Sequence, residues 1–294
     1  MLGRGGPLKT TIQLNSGVTM PRAGFGTFRL VDFETCRRAV LQALDAGYRL
    51  IDTAQVYRNE AAVGAALKET TVPREQIFVT TKVWLPFFGD RKTAASVDDS
   101  LKRLGLDYLD LVLLHEPYGD YYGAYRDLER LVKAGKVRSI GVSNFDAGQL
   151  IDLSHQMAIT PAVNQVELNV YQQQAALRQA HAKLGIVTEG WAPLGEDYKA
   201  FLNEPIISAI AKQHGKTVAQ ILLRYLLQLN TIVIPSTTNL VHLQANAAIW
   251  NFELTKAEMA QLAQLDKKQW LSPDRHSVKA TQHYMKLIDE GLEL

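Results

Sequence analysis

The chain has 294 residues, 47% hydrophobic and 21% charged, which is apolar enough for one large core or two small ones and excludes disorder as the main state. Lys plus Arg number 32 and Asp plus Glu 30, a net of +2 with no long run of one sign, so there is no electrostatic footprint for nucleic acid or an anionic membrane. A small-molecule partner is expected instead.

In chain order, Met1 to Thr10 is Gly-rich and lacks the apolar segment of a secretory signal. Thr11 to Pro21 (TIQLNSGVTMP) predicts a hairpin turning at Asn15-Ser16-Gly17, a plug for the floor of a barrel. Eight short runs follow: Ala23 to Phe28, Tyr48 to Ala54, Ile77 to Val83, Leu109 to His115, Val137 to Ser143, Ala162 to Leu168, Ile186 to Ala192 and Thr231 to Pro235. Most are near-continuous in apolar residues, the pattern of parallel strands covered on both faces. Between them, Cys36, Ala39, Val40, Ala43 and Leu44 fall three and four apart, as do Ala94, Val97, Leu101 and Leu104, and Tyr125, Leu128, Leu131 and Val132. Each set makes one apolar helical stripe.

The runs recur about 25 to 32 residues apart, the length of a β–α unit, except before the last, where extra helical sequence from Pro205 to Leu229 intervenes. No Pro/Gly/Ser linker divides the chain. The expectation is a single α/β domain over residues 1–294, a (β/α)8 TIM barrel with a helix at Lys256 to Leu265 and a C-terminal tail, 267–294, near the mouth. Gly24 and Gly26 begin like a dinucleotide-binding turn, but Arg29 holds the third glycine's place and Asp32 follows too soon to be the ribose acid. The richest apolar region, Thr217 to Pro235, is broken by Gln220, Arg224, Gln228 and Asn230, short of the roughly 18 residues of a membrane span. A single cysteine, Cys36, permits no internal disulfide, and a cytoplasmic protein is expected.

Chemistry in such a barrel sits at the carboxyl ends of the strands. There, Asp52 closes the second run, Lys82 the third and His115 the fourth, and Tyr57 lies five residues past Asp52. Singly, these residue types are ordinarily a helix cap, a solvated cation and a satisfied core imidazole. Together they point to a polar site, because a lysine facing a barrel interior is costly unless paired and Asp52 is the evident partner. An ammonium ~4 Å from a phenol, at an effective dielectric of ~20, favours phenolate by ~4 kcal/mol. That would bring Tyr57 toward neutrality, before desolvation pushes the other way, while His115 hydrogen-bonds the substrate oxygen. The set suits reversible proton transfer to a carbonyl oxygen.

With these residues in place, the sequence resembles the aldo-keto reductases over nearly its whole length, through GFGTF, GYRLIDTAQVYRNE, VTTKVW, LDLVLLHEP, GKVRSIGVSNF, NQVELNVYQ, WAPLG and IPSTTNLVHLQAN. The resemblance implies a (β/α)8 barrel that reversibly reduces aldehydes or ketones to alcohols with NADPH and/or NADH, without metal or flavin, and acts as a monomer. It places the catalytic set on Asp52, Tyr57, Lys82 and His115. Ser143, Asn144 and Gln165 match the positions that hold the nicotinamide carboxamide, Trp191 the ring on which nicotinamide stacks, and Gly26 and Thr27 line the same pocket. Pro193, Leu194 and Gly195, the run Ser236, Thr237, Thr238 and Asn239, and His242 and Asn246 complete the implied cofactor site. Phe28 and Trp84, with Trp191, would wall the substrate pocket. The loops Glu116 to Tyr122 and Glu196 to Asn203 are short, similar to the bacterial branch that includes 2,5-diketo-D-gluconate reductase.

Two departures stand out. Glu116 follows the catalytic His where many relatives have Trp, a negative charge in place of a hydrophobic wall, so either a pocket that disfavours anionic substrates and tolerates neutral or hydroxylated ones or a solvated rim carboxylate is expected. Ser236 and His242 stand where NADPH-preferring relatives carry Lys and Arg, so relaxed cofactor selectivity is expected, with hydroxyls and a helix N-terminus serving the phosphate. A nicotinamide-binding regulatory protein of the same fold is the alternative. A Schiff-base aldolase using Lys82 would need a trappable adduct, and metal-dependent hydrolysis is disfavoured because none of the seven His forms a His-x-His pair at a strand end.

Overall fold

The computed structural model describes residues 10–195, 199–271 and 274–291. The first segment forms the hairpin, with β1 (Thr11–Gln13) antiparallel to β2 (Thr19–Pro21). The eight apolar runs become eight parallel strands: β3 (Phe25–Gly26), β4 (Leu50–Asp52), β5 (Phe78–Val83), β6 (Leu109–Leu114), β7 (Val137–Ser143), β8 (Val163–Glu167), β9 (Val187–Trp191) and β10 (Ile232–Val233). Every strand lies beside its sequence neighbour. A parallel bridge between Ala23 and Val233, with Gly24 N–H donating to Val233 O at 2.9 Å, joins the first strand to the last and closes the barrel.

Helices α1 (Phe33–Asp45), α2 (Glu60–Glu69), α3 (Lys92–Leu104), α4 (Tyr121–Lys133), α5 (Ala147–Gln156) and α6 (Ala175–Leu184) lie between successive strands. The segment before β10 holds α7 (Lys199–Leu202), α8 (Pro205–His214) and α9 (Val218–Gln228), and α10 (Leu240–Ala247), α11 (Lys256–Ala263) and α12 (Val278–Asp289) follow it. Residues read from the sequence as tail thus include α12, whose Ser277 side chain accepts from Ala280 N–H at its start. Gly105 ends α3 at φ 64, a left-handed conformation that costs glycine least and turns the chain back to the barrel.

The period-2 alternation of the strands divides the core in two. Leu50, Phe78, Leu111, Leu113, Val163, Ile232 and Ile234 bury together inside the barrel with Leu14 and Met20 of the hairpin. Their alternates Ile51, Val79, Val112, Ile140 and Val142 pack outward with Val40, Val63, Val97 and Leu128 of the helices. The inward face therefore carries apolar residues low in the barrel and, two or four positions further along the same strands, Asp52, Lys82, Gln165 and Glu189. No helix of the described residues is long and apolar enough to cross a membrane.

Candidate active site

Asp52, Lys82 and His115 end or follow three neighbouring strands, and the structure gathers them with Tyr57. Lys82 is fully buried, and its Nζ donates to Asp52 Oδ1 at 2.6 Å, Thr53 O at 3.0 Å and Tyr57 Oη at 3.4 Å. These three acceptors account for all three ammonium protons. The Tyr57 oxygen therefore accepts from Lys82 and keeps its own proton for another acceptor. The rings of Tyr57 and His115 lie edge to face with centroids 5.6 Å apart.

The turn that carries Tyr57 is a single 3-10 turn, Gln55–Tyr57, ended by Arg58 at φ 56. Such a short turn has few hydrogen bonds of its own, and two buried amides brace it. Asn59 donates through Nδ2 to Thr27 O at 2.9 Å and Leu30 O at 3.1 Å and accepts from Thr53 Oγ1 at 2.7 Å. Gln55 donates to Ser96 O and Ser100 Oγ, both at 3.1 Å, and accepts from Trp84 N–H at 2.9 Å. Neither was singled out in the sequence, where each is one polar residue in YRLIDTAQVYRNE.

Burial sets the ionisation of the group. It pushes the Tyr57 phenol above its ordinary value, and Asp52 and Glu116 add to the rise while Lys82 opposes it. The acidic phenol expected from the sequence is thus corrected: with water excluded, desolvation outweighs the ammonium 3.4 Å away. Burial disfavours the Lys82 ammonium, but Asp52, Tyr57 and Glu189 together hold its pKa above the ordinary value. His115 is kept neutral, first by burial and then by the charges of Lys82 and Arg275, and its buried Nδ1 has no hydrogen-bond partner.

A second layer of polar residues continues the network. Gln165 Nε2 donates to Asp52 Oδ2 and to Glu189 Oε2, each at 2.9 Å. Ser143 Oγ donates to Gln165 O at 2.9 Å. Asn144, left-handed at φ 63, accepts from Trp191 Nε1 at 2.9 Å and donates to His115 O at 3.3 Å. Gly26 is in register with Asp52, and Thr27 Oγ1 donates to Asp52 O at 3.0 Å. Ser143, Asn144, Gln165, Trp191, Gly26 and Thr27 thus join the Asp52 group in one structure.

The remaining cofactor candidates lie apart from this network. After β9, Pro193 and Leu194 lead to Gly195, at φ 70, where an added Cβ would fall 2.4 Å from the Phe201 ring. Ser236, Thr237, Thr238 and Asn239 form the largely exposed approach to α10, with Asn246 buried and His242 exposed. Asn239 accepts from Val241 N–H at 2.9 Å and His242 N–H at 3.2 Å. Two amides expected to face a phosphate are therefore capped by the helix's own side chain. What the segment offers instead is hydroxyls and an imidazole.

At the mouth, Phe28 is 52% exposed with its ring 5.1 Å from Tyr57, whereas Trp84 is buried behind His115 at 5.2 Å. Glu116 departs from expectation. It is buried, not a solvated rim charge, and both its carboxyl oxygens accept from Arg275 Nε, at 3.0 and 3.1 Å. Burial raises its pKa against the pull of Arg275, and Tyr284 Oη adds a bond at 3.3 Å. Repulsion of anionic substrates by Glu116 loses its basis, because the neighbouring guanidinium neutralises it. Arg275 also lies over Trp191 at 4.8 Å, and Tyr284 stacks on Tyr118 at 4.8 Å, so the segment around α12 straps the mouth. The loop residues Glu196 to Tyr198 lie outside the described residues. Among the described residues no cluster of metal-ligating side chains occurs.

A buried phenol with its proton available, backed by an ammonium and a carboxylate, can deliver a proton to an oxygen and take it back. The family model for the aldo/keto reductase family matches residues 22–267, and the chain belongs to that family. It is 43% identical over 273 residues, 92% of this chain and 98% of the relative, to an aldo-keto reductase of Mycolicibacterium smegmatis. It is 40% identical over 281 residues, 91% of this chain and 95% of the relative, to a morphine 6-dehydrogenase of Pseudomonas putida. A Bombyx mori aldo-keto reductase solved in complex with NADP superposes with a TM-score of 0.86 at 35% identity, covering 90% of this chain and 95% of that one.

Proposed function

We propose that the protein is an NAD(P)H-dependent carbonyl reductase in which Tyr57 protonates the substrate oxygen during reduction and deprotonates the alcohol in reverse. The observation that carries this reading is the hydrogen-bond count at Lys82: with every ammonium proton placed, the Tyr57 hydroxyl is oriented as acceptor toward Lys82 and as donor toward substrate. His115, held neutral, supplies a second contact to the same oxygen and fixes the carbonyl's direction. The raised phenol pKa keeps Tyr57 protonated at neutral pH, the form a reductase needs.

The residues fit a nicotinamide. Both N–H bonds of Gln165 are given to carboxyls, which leaves its Oε1 as the acceptor for a carboxamide NH2. The Trp191 ring, pinned through its Nε1 by Asn144, is half-buried, with the Arg275 guanidinium over one face. When bound, the cofactor supplies the hydride. Cofactor binding before a small aldehyde or ketone is expected, and NADH is expected to serve appreciably, because Ser236 and His242 provide no fixed cation for a 2′-phosphate.

The test is oxidation of NADPH and NADH against a panel of aldehydes and ketones, for wild type and Tyr57→Phe. Turnover that disappears with the hydroxyl supports the proposal. Binding of cofactor without turnover on any carbonyl would favour the regulatory alternative, and a preference for NADPH above about a thousandfold, roughly 4 kcal/mol, would contradict relaxed selectivity.

A further inference from the structure

The proposed chemistry leaves one buried carboxyl without a task. Glu189 lies on β9, in register with Gln165 of β8 and two residues before Trp191, with its side chain fully buried. Its Oε2 accepts one hydrogen of Gln165 Nε2 at 2.9 Å, and the other hydrogen goes to Asp52 Oδ2 at 2.9 Å. Glu189 Oε1 is buried with no hydrogen-bond partner. Reversal of this amide would set its carbonyl oxygen against Asp52 Oδ2 and against the Glu189 oxygen that now accepts from it. The direction of the Gln165 carbonyl is therefore fixed by Glu189 and Asp52 jointly.

We propose that Glu189 is a positioning residue of this site: it locks Gln165 so that the amide oxygen is presented as the acceptor for a cofactor carboxamide, and it keeps a buried carboxyl beside that amide, two residues before Trp191. The inference rests on the assignment of Gln165 and Trp191 to the cofactor made above.

The charged groups around Glu189 are few. Asp52 faces it from β4 and Lys82 from β5, Glu167 stands further along β8 bonded to Leu271 N–H at 2.7 Å, and β10 contributes the uncharged Ile232 opposite. Asp52 and Glu189 thus share a single buried ammonium. Burial, then the charge of Asp52, pushes Glu189 up to about 8. Below its raised pKa it is a neutral acid that still accepts from Gln165, and above it a negative charge is added. A glutamine there keeps the acceptor and cannot ionise. A leucine removes both.

The experiment reads binding. Wild type, Glu189→Gln and Glu189→Leu are titrated with oxidised and reduced NADP by quenching of tryptophan fluorescence at pH values on either side of 8. Glu189→Leu is expected to weaken both forms about tenfold, and Glu189→Gln to stay within about twofold of wild type at neutral pH. In wild type, affinity for the oxidised form, whose ring is cationic, should rise a few-fold through pH 8, with no rise for the reduced form and none in Glu189→Gln. Superimposable wild-type and Glu189→Gln profiles would overturn the proposal, as would Glu189→Leu binding like wild type. Should Glu189→Leu fail to fold, the glutamine profile still decides. Wild type that binds cofactor without reducing carbonyls defeats the proposed activity and leaves this test readable.

Discussion

The two ends of the candidate site are built on opposite principles. At the β4–β6 end, Asp52, Lys82 and Thr53 are buried and each polar contact closes on another, so burial multiplies the strength of every charge there. At the β10–α10 end, Ser236, Thr238 and His242 are exposed, Asn239 serves its own helix, and water competes for whatever binds. Substitutions at the first end should therefore change rates and stability steeply. Those at the second should shift cofactor preference gently and leave the chemistry alone.

The largest effect is expected from Tyr57→Phe, which removes the hydroxyl backed by Lys82. The rate should fall about a thousandfold or more, with cofactor affinity nearly unchanged, measured by single-turnover kinetics beside fluorescence titration. A fall below about tenfold would place the proton donor elsewhere. Next comes a stability effect at Glu189. Its folded pKa is about 8 against an ordinary 4.5, so between those values the folded chain holds a proton that the unfolded chain releases. The folded state then binds more protons, and stability falls as pH rises from 4.5 to 8 and is level above. Glu189→Gln abolishes that slope. In urea melts its advantage over wild type should be near zero at the acid end and grow to a few kcal/mol at most at the alkaline end.

The same contrast explains what the sequence discloses. Asp52, Lys82 and His115 are legible because each is a polar residue ending an apolar run, and Tyr57 because it falls one short turn beyond. The direction of the Tyr57 shift was not legible, since the sequence discloses both the ammonium and the opposing desolvation but not which of them is larger. Glu116 was misread for a related reason: its partner Arg275 lies 159 residues away, and no periodicity links a loop after β6 to a segment before α12. Glu189 had a visible signal, a carboxylate inside the apolar run Ile186 to Ala192, whose meaning depends on Gln165 crossing from the adjacent strand. β3 and β10, the strands that meet at the barrel's closure, are two residues each, shorter than the apolar runs that predict them.

The strap over the mouth sharpens the comparison at its middle. Arg275→Met leaves Glu116 buried without its cation, which should destabilise by about 1 to 3 kcal/mol and raise KM for carbonyl substrates more than it lowers kcat. Adding Glu116→Gln should restore part of both losses. If the double variant is no better than Arg275→Met alone, the ion pair is not what holds the strap.

The smallest effect belongs to the open end. Ser236→Lys places a cation beside Thr237 and Thr238, where a 2′-phosphate is expected. An exposed charge-assisted bond contributes about 1 kcal/mol, because the lysine stays solvated and gives up side-chain entropy to hold one position. The ratio of NADPH to NADH specificity should therefore rise about fivefold, and the gain should shrink as salt is added, since an exposed pair is screened within roughly 10 Å. A hundredfold, salt-insensitive gain would mean that this end closes over its ligand and is not open. The turnover number with saturating NADPH should stay unchanged, because no residue of the Ser236 segment touches Tyr57, Lys82 or Asp52 through any of the hydrogen bonds that define the buried end.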